Sequence, residues 1–339
     1  MTSKVLLRWL VVLGDLLLIT FSMSTAAPQT DHATFSGQAT VVQATVLGIS
    51  TMISDTGPLP SSGGAQEASL LTANVPGLLS AEVLHASTVG QGDRSRSETS
   101  VANLTLTAGG NTIQAGFLMA RAEATCGANG ASVTGNSDIA ALVVNGLPMG
   151  VSGEPNQTLQ LPGGRIIINE QTSSPGNRTG DITVNALHVI VDGVADVVVS
   201  HAHADIACQG KPPCDGGGDF VTAGGWITGT PSGAKGNFGV AGGIKNGALW
   251  GHLSYLDHGP NGPKVKGTGV TRYEQSGSTT RHIEGTAEID GQAGFTYQVD
   301  VTDNGEPGRD DSFRIILSNG YAASGTLNGG NVQLHGPCR

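Results

Sequence analysis

Seven turn dipeptides punctuate the last third of the chain at nearly constant intervals: Asn246-Gly247, Asn261-Gly262, Ser276-Gly277, Asp290-Gly291, Asn304-Gly305, Asn319-Gly320 and Asn328-Gly329. Asn-Gly and Asp-Gly accept the positive φ of two-residue hairpin loops, so each pair reads as a reversal between antiparallel strands. Their first positions are 15, 15, 14, 14, 15 and 9 residues apart, which leaves up to a dozen residues per strand. A chain on that beat is a meander of long strands. Glycine supplies 28 of the 129 residues from Lys211 onward. Turns alone cannot use so many, so some glycines sit inside strands and permit strong curvature. A coiled antiparallel sheet or an up-and-down barrel follows, and closure would hide its edges.

The preceding residues are also β in character but differently composed. Two β-branched runs, Ile182 to Val191 and Val194 to Cys208, flank Asp192-Gly193 and predict a hairpin. Similar runs occur at Thr40 to Gly48, Val101 to Thr107, Thr112 to Cys126, Ile139 to Val144 and Arg165 to Asn169. The Ala/Leu-rich stretch from Gln66 to His85 admits a helix, which Pro76 and Gly77 would cut. From Ala27 to Gly210 the aromatics are Phe35 and Phe117, against ten from Lys211 onward. A core of Val, Ile, Leu and Ala suits a sandwich-like packing of sheets. The fold class predicted is therefore all-β, a sandwich-like domain over residues 27–210 and a Gly-rich meander or barrel over 219–339. The Pro- and Gly-rich residues 211–218 would link them.

Lys4 and Arg8 bracket the start of an apolar run from Val5 to Phe21, followed by small residues to Ala26. Residues 1–26 read as a secretory signal peptide, cleaved after Ala26. The remaining chain is more acidic still than the full chain's net −10. It has no Lys/Arg stripe, which argues against nucleic acid and anionic membrane surfaces as partners. No later apolar stretch approaches the roughly 18 residues of a membrane span. Cys126, Cys208, Cys214 and Cys338 form an even set in a chain read as exported, so disulfides are expected. Of the three pairings, Cys126 with Cys208 and Cys214 with Cys338 are favoured, each within one domain.

The segment Phe35 to Cys208 resembles the choice-of-anchor P domain of bacterial exported proteins, through Ser36-Gly-Gln-Ala-Thr-Val-Val, Ala120-Arg-Ala-Glu-Ala-Thr-Cys126, Ile166-Ile-Ile-Asn-Glu-Gln171 and Ile182-Thr-Val-Asn-Ala-Leu-His188. The segment from Asp219 to Leu334 is similar to the post-COAP-1 module. It matches in Asp219-Phe-Val-Thr-Ala-Gly-Gly-Trp226, Asn237-Phe-Gly-Val-Ala-Gly-Gly-Ile-Lys-Asn-Gly247, Trp250-Gly-His-Leu-Ser-Tyr255 and Asp303-Asn-Gly-Glu-Pro-Gly308. The resemblance implies an exported protein, often held at the cell surface by a C-terminal anchor, with no established activity. No recognisable anchor follows the second module here, which favours release or periplasmic residence.

Three constellations carry candidate chemistry. His201, His203 and Asp205 alternate along one strand and share a face, where alternate histidines can chelate Zn²⁺ or Cu²⁺. His-x-His-x-Asp also opens the metallo-β-lactamase metal motif, but Ile206 stands where that motif has histidine. The plain alternative is the solvent side of a half-buried strand. Asp300, Asp303, Asn304, Glu306, Asp310 and Asp311 crowd oxygen ligands of the kind Ca²⁺ takes into one loop. They lack EF-hand spacing, and a solvated hairpin loop explains them as well. Trp226, Trp250 and Tyr255 among glycines suit a platform for sugar rings, although aromatics in such a domain mainly build its core. No catalytic set is coherent and no cofactor is required.

The leading expectation is a non-enzymatic adhesion or scaffold protein of the envelope or matrix, with polysaccharide or protein as partner. The alternatives are a metal-dependent or carbohydrate-active hydrolase and a Ca²⁺-stabilised carbohydrate-binding module.

Overall fold

The computed structural model describes residues 33–209, 218–245 and 247–336, so the leader, most of the linker, Asn246, Cys214 and Cys338 lie outside the described residues. The structure is all-β. The strands of the first part are β1 (Thr34–Val46), β2 (Ile49–Asp55), β3 (Gly64–Val75), β4 (Leu79–Gln91), β5 (Arg94–Ala108), β6 (Asn111–Gly127), β7 (Gly130–Ala140), β8 (Val143–Val144), β9 (Leu147–Pro148), β10 (Gln157–Leu161), β11 (Gly164–Pro175), β12 (Thr179–Val191) and β13 (Ala195–Ala207). Those of the second part are β14 (Phe220–Ile227), β15 (Gly236–Lys245), β16 (Ala248–Asp257), β17 (Lys264–Gln275), β18 (Thr280–Ile289), β19 (Gln292–Thr302), β20 (Ser312–Leu317), β21 (Ala322–Thr326) and β22 (Gly329–His335).

Three antiparallel sheets result. The first has the order β10-β11-β12-β13-β1-β2, the second β3-β4-β5-β6-β8-β9 with β7 also on β6, and the third β21-β20-β19-β18-β17-β16-β15-β14-β22. Asp192-Gly193 makes the β12–β13 reversal, pairing Val191 with Ala195. Five of the turn dipeptides, Asn261-Gly262, Ser276-Gly277, Asp290-Gly291, Asn304-Gly305 and Asn319-Gly320, fall between consecutive paired strands of the third sheet, and Asp290 and Gly291 both take positive φ (52° and 78°). Asn246 lies outside the described residues, and Asn328-Gly329 leads into β22, which pairs with β14 and not with β21. The stretch from Gln66 to His85 is strand on both sides of a turn, with Gly77 at φ 76°. Its polar Glu67, Ser69 and His85 fit the period of two that a strand needs, and Pro76 closes off a helix.

The first two sheets pack face to face. Their shared core, including Val41, Leu84, Val101, Leu118, Ile166, Val184, Leu187 and Val199, is aliphatic throughout apart from Phe35. Cys126 of β6 and Cys208 beyond β13 form a disulfide that ties the two sheets together across 82 residues. In the chain-entropy account such a loop is worth about 4 to 5 kcal/mol. The third sheet curls around a separate core in which Phe238 and Phe313 stack at 3.9 Å and Tyr255 and Tyr297 are fully buried. Its last strand, β22, returns beside β14, and Ser324 N–H donates to the Gly229 carbonyl just beyond β14.

The second sheet is covered on both faces. Along β5, Ser95 and Ser97 donate to carbonyls of Ser36 and His203 in the first sheet. The alternate residues Arg96, Glu98 and Ala102 face the third sheet instead, where they meet Glu306, Asn331 and Leu256. This explains why an unbroken run from Ser95 to Ala102 is buried although six of its eight residues are polar or charged. Strands buried on both faces lose the simple alternation of polar and apolar residues.

Candidate functional site

The seam between the second and third sheets is where buried polar groups concentrate. Close approach is possible because Gly224 of β14 and Gly239 of β15 present bare backbone there. A side-chain carbon on Gly239 would meet His85 Cβ at 2.9 Å, and one on Gly224 would overlap Ser100 Oγ. The His85 imidazole occupies that space and is fully buried. Its Nδ1 lies 3.2 Å from Nε2 of His252 on β16. On the far side of that ring, His252 Nδ1 lies 2.6 Å from Glu67 Oε2 on β3. Among the described residues this is the one group of three His, Cys, Asp or Glu side chains able to hold a metal ion, with ligand atoms within 4.8 Å of one another.

Electrostatics keep the group divided in charge. Burial and the neighbouring His252 push the His85 pKa down to about 3, so it is a neutral imidazole at ordinary pH. Burial would raise the Glu67 carboxyl, yet His252 beside it holds it below the usual range. Lys245, whose ammonium donates to the Ala65 carbonyl, adds to that effect.

A second cluster occupies the other end of the seam. Arg96 reaches Glu306 Oε1 at 2.7 Å, Glu98 Oε2 at 3.4 Å and Glu123 Oε2 at 3.4 Å, and it also donates to Gln333. Arg121 donates to Asn136 Oδ1 at 3.0 Å and the Pro307 carbonyl at 3.0 Å. Of these, Arg96, Arg121, Glu123, Asn136, Glu306 and Pro307 line a recess of about 170 Å³. Burial raises the Glu98 carboxyl despite Arg96 beside it, whereas Arg96 and Arg121 outweigh burial at Glu306 and hold it low. Glu306 thus enters from the 303–311 loop as counter-ion to two buried arginines.

The residues singled out by sequence are distributed as follows. In the acidic loop, Asp311 accepts the backbone N–H groups of Asn304 and Val332 at 2.8 Å each, Asp303 accepts from Gly305 and Leu334, and Asn304 donates to the Asp310 carbonyl. The loop's oxygens are largely occupied in stitching it to β22. His201, His203 and Asp205 do share the outer face of β13, half exposed. His201 pairs with Asn185 at 2.7 Å and His203 with Thr183 at 3.1 Å, and the three are not gathered around a common point. The Tyr255 ring lies in the core of the third sheet, its hydroxyl on Tyr321 at 2.7 Å. Trp226 and Trp250 are half-buried, with Lys235 and Lys245 ammoniums 4.4 and 5.6 Å from their ring centroids. Cys214 and Cys338 lie outside the described residues.

Glu67, His85 and His252 were not singled out by sequence. Their separations of 18 and 167 residues match no ligand spacing, and the one local signal is a histidine inside the buried run from Val83 to Gly90 of β4. Asp93 to Glu98 reads by sequence as a charged loop, but Arg94 opens β5 and Arg96 and Glu98 are buried in it. Arg121 gave no signal, since charged residues in a strand ordinarily face water.

No family model matches the chain, and no curated protein matches it. Among solved structures, a provisionally named AttH protein from Nitrosomonas europaea is similar at 7% identity over 94% of this chain and 97% of that one, with a TM-score of 0.20. At that level the likeness carries no argument. No helix among the described residues is long and apolar enough to cross a membrane.

Proposed function

We propose that the protein works outside the cytoplasm as a non-enzymatic scaffold or adhesion module of the envelope or extracellular matrix. The observation that carries this reading is the Cys126–Cys208 disulfide, which joins the two sheets of the first part. Such bonds persist in oxidising compartments, and the residue 1–26 segment has the charge and apolar pattern of an export signal. Adhesion is supported by an apolar tip at one end of the first sheet, where Leu47 is 75% exposed, Ile49 77% and Met52 60%. Val194 of the adjacent β12–β13 turn joins it, its carbonyl accepting from Leu47 N–H at 2.9 Å. Exposed apolar residues gathered at a tip mark contact surfaces more often than chance exposure does.

The test is expression of the full chain from its own start in a bacterium, with thiol alkylation of each cell fraction before mass spectrometry. Polypeptide beginning near Ala27, outside the cytoplasm and with Cys126 and Cys208 joined, is the expected result. Full-length chain retained in the cytoplasm with free thiols would overturn it. Retention on immobilised envelope protein should fall at least about tenfold, about 1.4 kcal/mol, in the Leu47→Asp/Ile49→Asp variant, with its urea midpoint unchanged. Retention indifferent to those substitutions would remove the tip from the reading.

A further inference from the structure

We propose that Glu67, His85 and His252 form a binding site for one divalent transition-metal ion of the Zn²⁺ class, which clasps the second sheet to the third. The first support is convergence. Three side chains from β3, β4 and β16 bring their ligand atoms within 4.8 Å of one another, although the strands belong to two different sheets. The 3.2 Å between His85 Nδ1 and His252 Nε2 is close to the ligand–ligand edge of a tetrahedron with bonds of about 2.0–2.1 Å, the usual Zn–N length.

The second support is independent of spacing. Glu67 Oε2 is a buried carboxylate oxygen without an aligned hydrogen-bond partner. Glu67 Oε2 and His252 Nδ1 approach to 2.6 Å and still do not meet the angular requirement of a hydrogen bond. Unpaired buried polar atoms are costly and rarely left so. An ion held by His85 Nδ1, His252 Nε2 and the Glu67 carboxylate supplies the missing partner of Glu67 Oε2.

The ligand chemistry selects the class of ion. Two imidazoles and one carboxylate suit Zn²⁺, and also Cu²⁺, Ni²⁺ or Fe²⁺, whereas Ca²⁺ and Mg²⁺ take oxygen ligands. The side chains of Glu67 and His252 are 23% and 14% exposed, so ions and water reach the site from its outer side. Because His252 comes from the third sheet, coordination ties the seam together. An ion that binds only this arrangement stabilises it by mass action.

The experiment starts from purified protein stripped with chelator. Zn²⁺ is titrated calorimetrically, bound ions are counted by native mass spectrometry, and thermal unfolding is followed with and without Zn²⁺. The expected result is one ion lost in His252→Ala and in Glu67→Gln, with affinity weakened at least 10–100-fold, the loss that removing even an outer-shell partner brings. The His201→Ala/His203→Ala double variant should keep that ion. Zn²⁺ should raise the wild-type melting temperature but not that of Glu67→Gln. Glu67 and His252 lie at the open side of the cluster, so their variants are chosen ahead of His85, whose removal from the core endangers folding. Co²⁺ should give the visible absorption of a tetrahedral site in the wild type only. Absence of stoichiometric Zn²⁺ in the wild type would overturn the proposal, as would equal binding by wild type and both variants.

Discussion

His85 of β4 lies against the backbone of Gly239 on β15 so closely that a methyl group on the glycine would come within 2.9 Å of the histidine Cβ. Both positions belong to strands in the middle of their sheets, where neither backbone can retreat without disturbing its ladder. The two sheets are therefore stacked at a separation that only glycine allows.

The substitution Gly239→Ala should cost about 1–3 kcal/mol, the range for overpacking a close-packed interior. Gly269→Ala on β17 is the control. Its new carbon would meet only Thr286 Oγ1, at an ordinary 3.5 Å, and it should be neutral or slightly stabilising. Urea unfolding of both variants checks the difference. Equal stabilities would show that the seam opens at no cost.

Arg96 and Glu98 are nearly buried together, with side chains 7% and 3% exposed. Arg96→Met leaves Glu98 without its cation and should destabilise by about 3–5 kcal/mol, the penalty for breaking a buried pair from one side. Adding Glu98→Leu removes the stranded group and should recover a large part of that loss. A double-mutant cycle in urea measures the coupling. Strictly additive single and double variants would show that the two groups do not depend on each other.

Asp311 is fully buried, and burial together with Asp303 and Glu306 nearby lifts its pKa from 3.8 to about 6, against the two backbone N–H groups it accepts. A raised carboxyl pKa means that the folded state holds the proton more tightly than the unfolded state. Its contribution to stability is therefore fully present below 3.8 and is lost as pH rises through about 6. Asp311→Asn does not titrate. Its stability relative to wild type should improve by about 2–3 kcal/mol between pH 4 and pH 7, at roughly 1.4 kcal/mol per pH unit. Other carboxyls cancel in the comparison. A difference between the two proteins that is constant with pH would refute the assignment.

Local features were legible before any fold was known. Asn-Gly and Asp-Gly pairs dictate reversals through the backbone conformations they tolerate, so the meander of the third sheet and the β12–β13 hairpin could be read directly. The aliphatic composition before Lys211 anticipated the first core, and the ten aromatics after it the second. The Cys126–Cys208 pairing was likewise within reach, because an even set of cysteines in a chain read as exported admits few pairings. Alternation also placed His201, His203 and Asp205 on one face, as they are.

What the chain could not declare in one dimension is which sheet face meets which. Arg96, Glu98 and His85 sit on strands whose pattern suits a water-facing side, and only the stacking of the third sheet on the second removes them from water. The same stacking brings His252 to Glu67 and His85 across 167 residues of chain. A period of two specifies the two sides of a strand, but their partners are chosen by long-range packing, in which small residues such as Gly224 and Gly239 matter as much as the charged ones they admit.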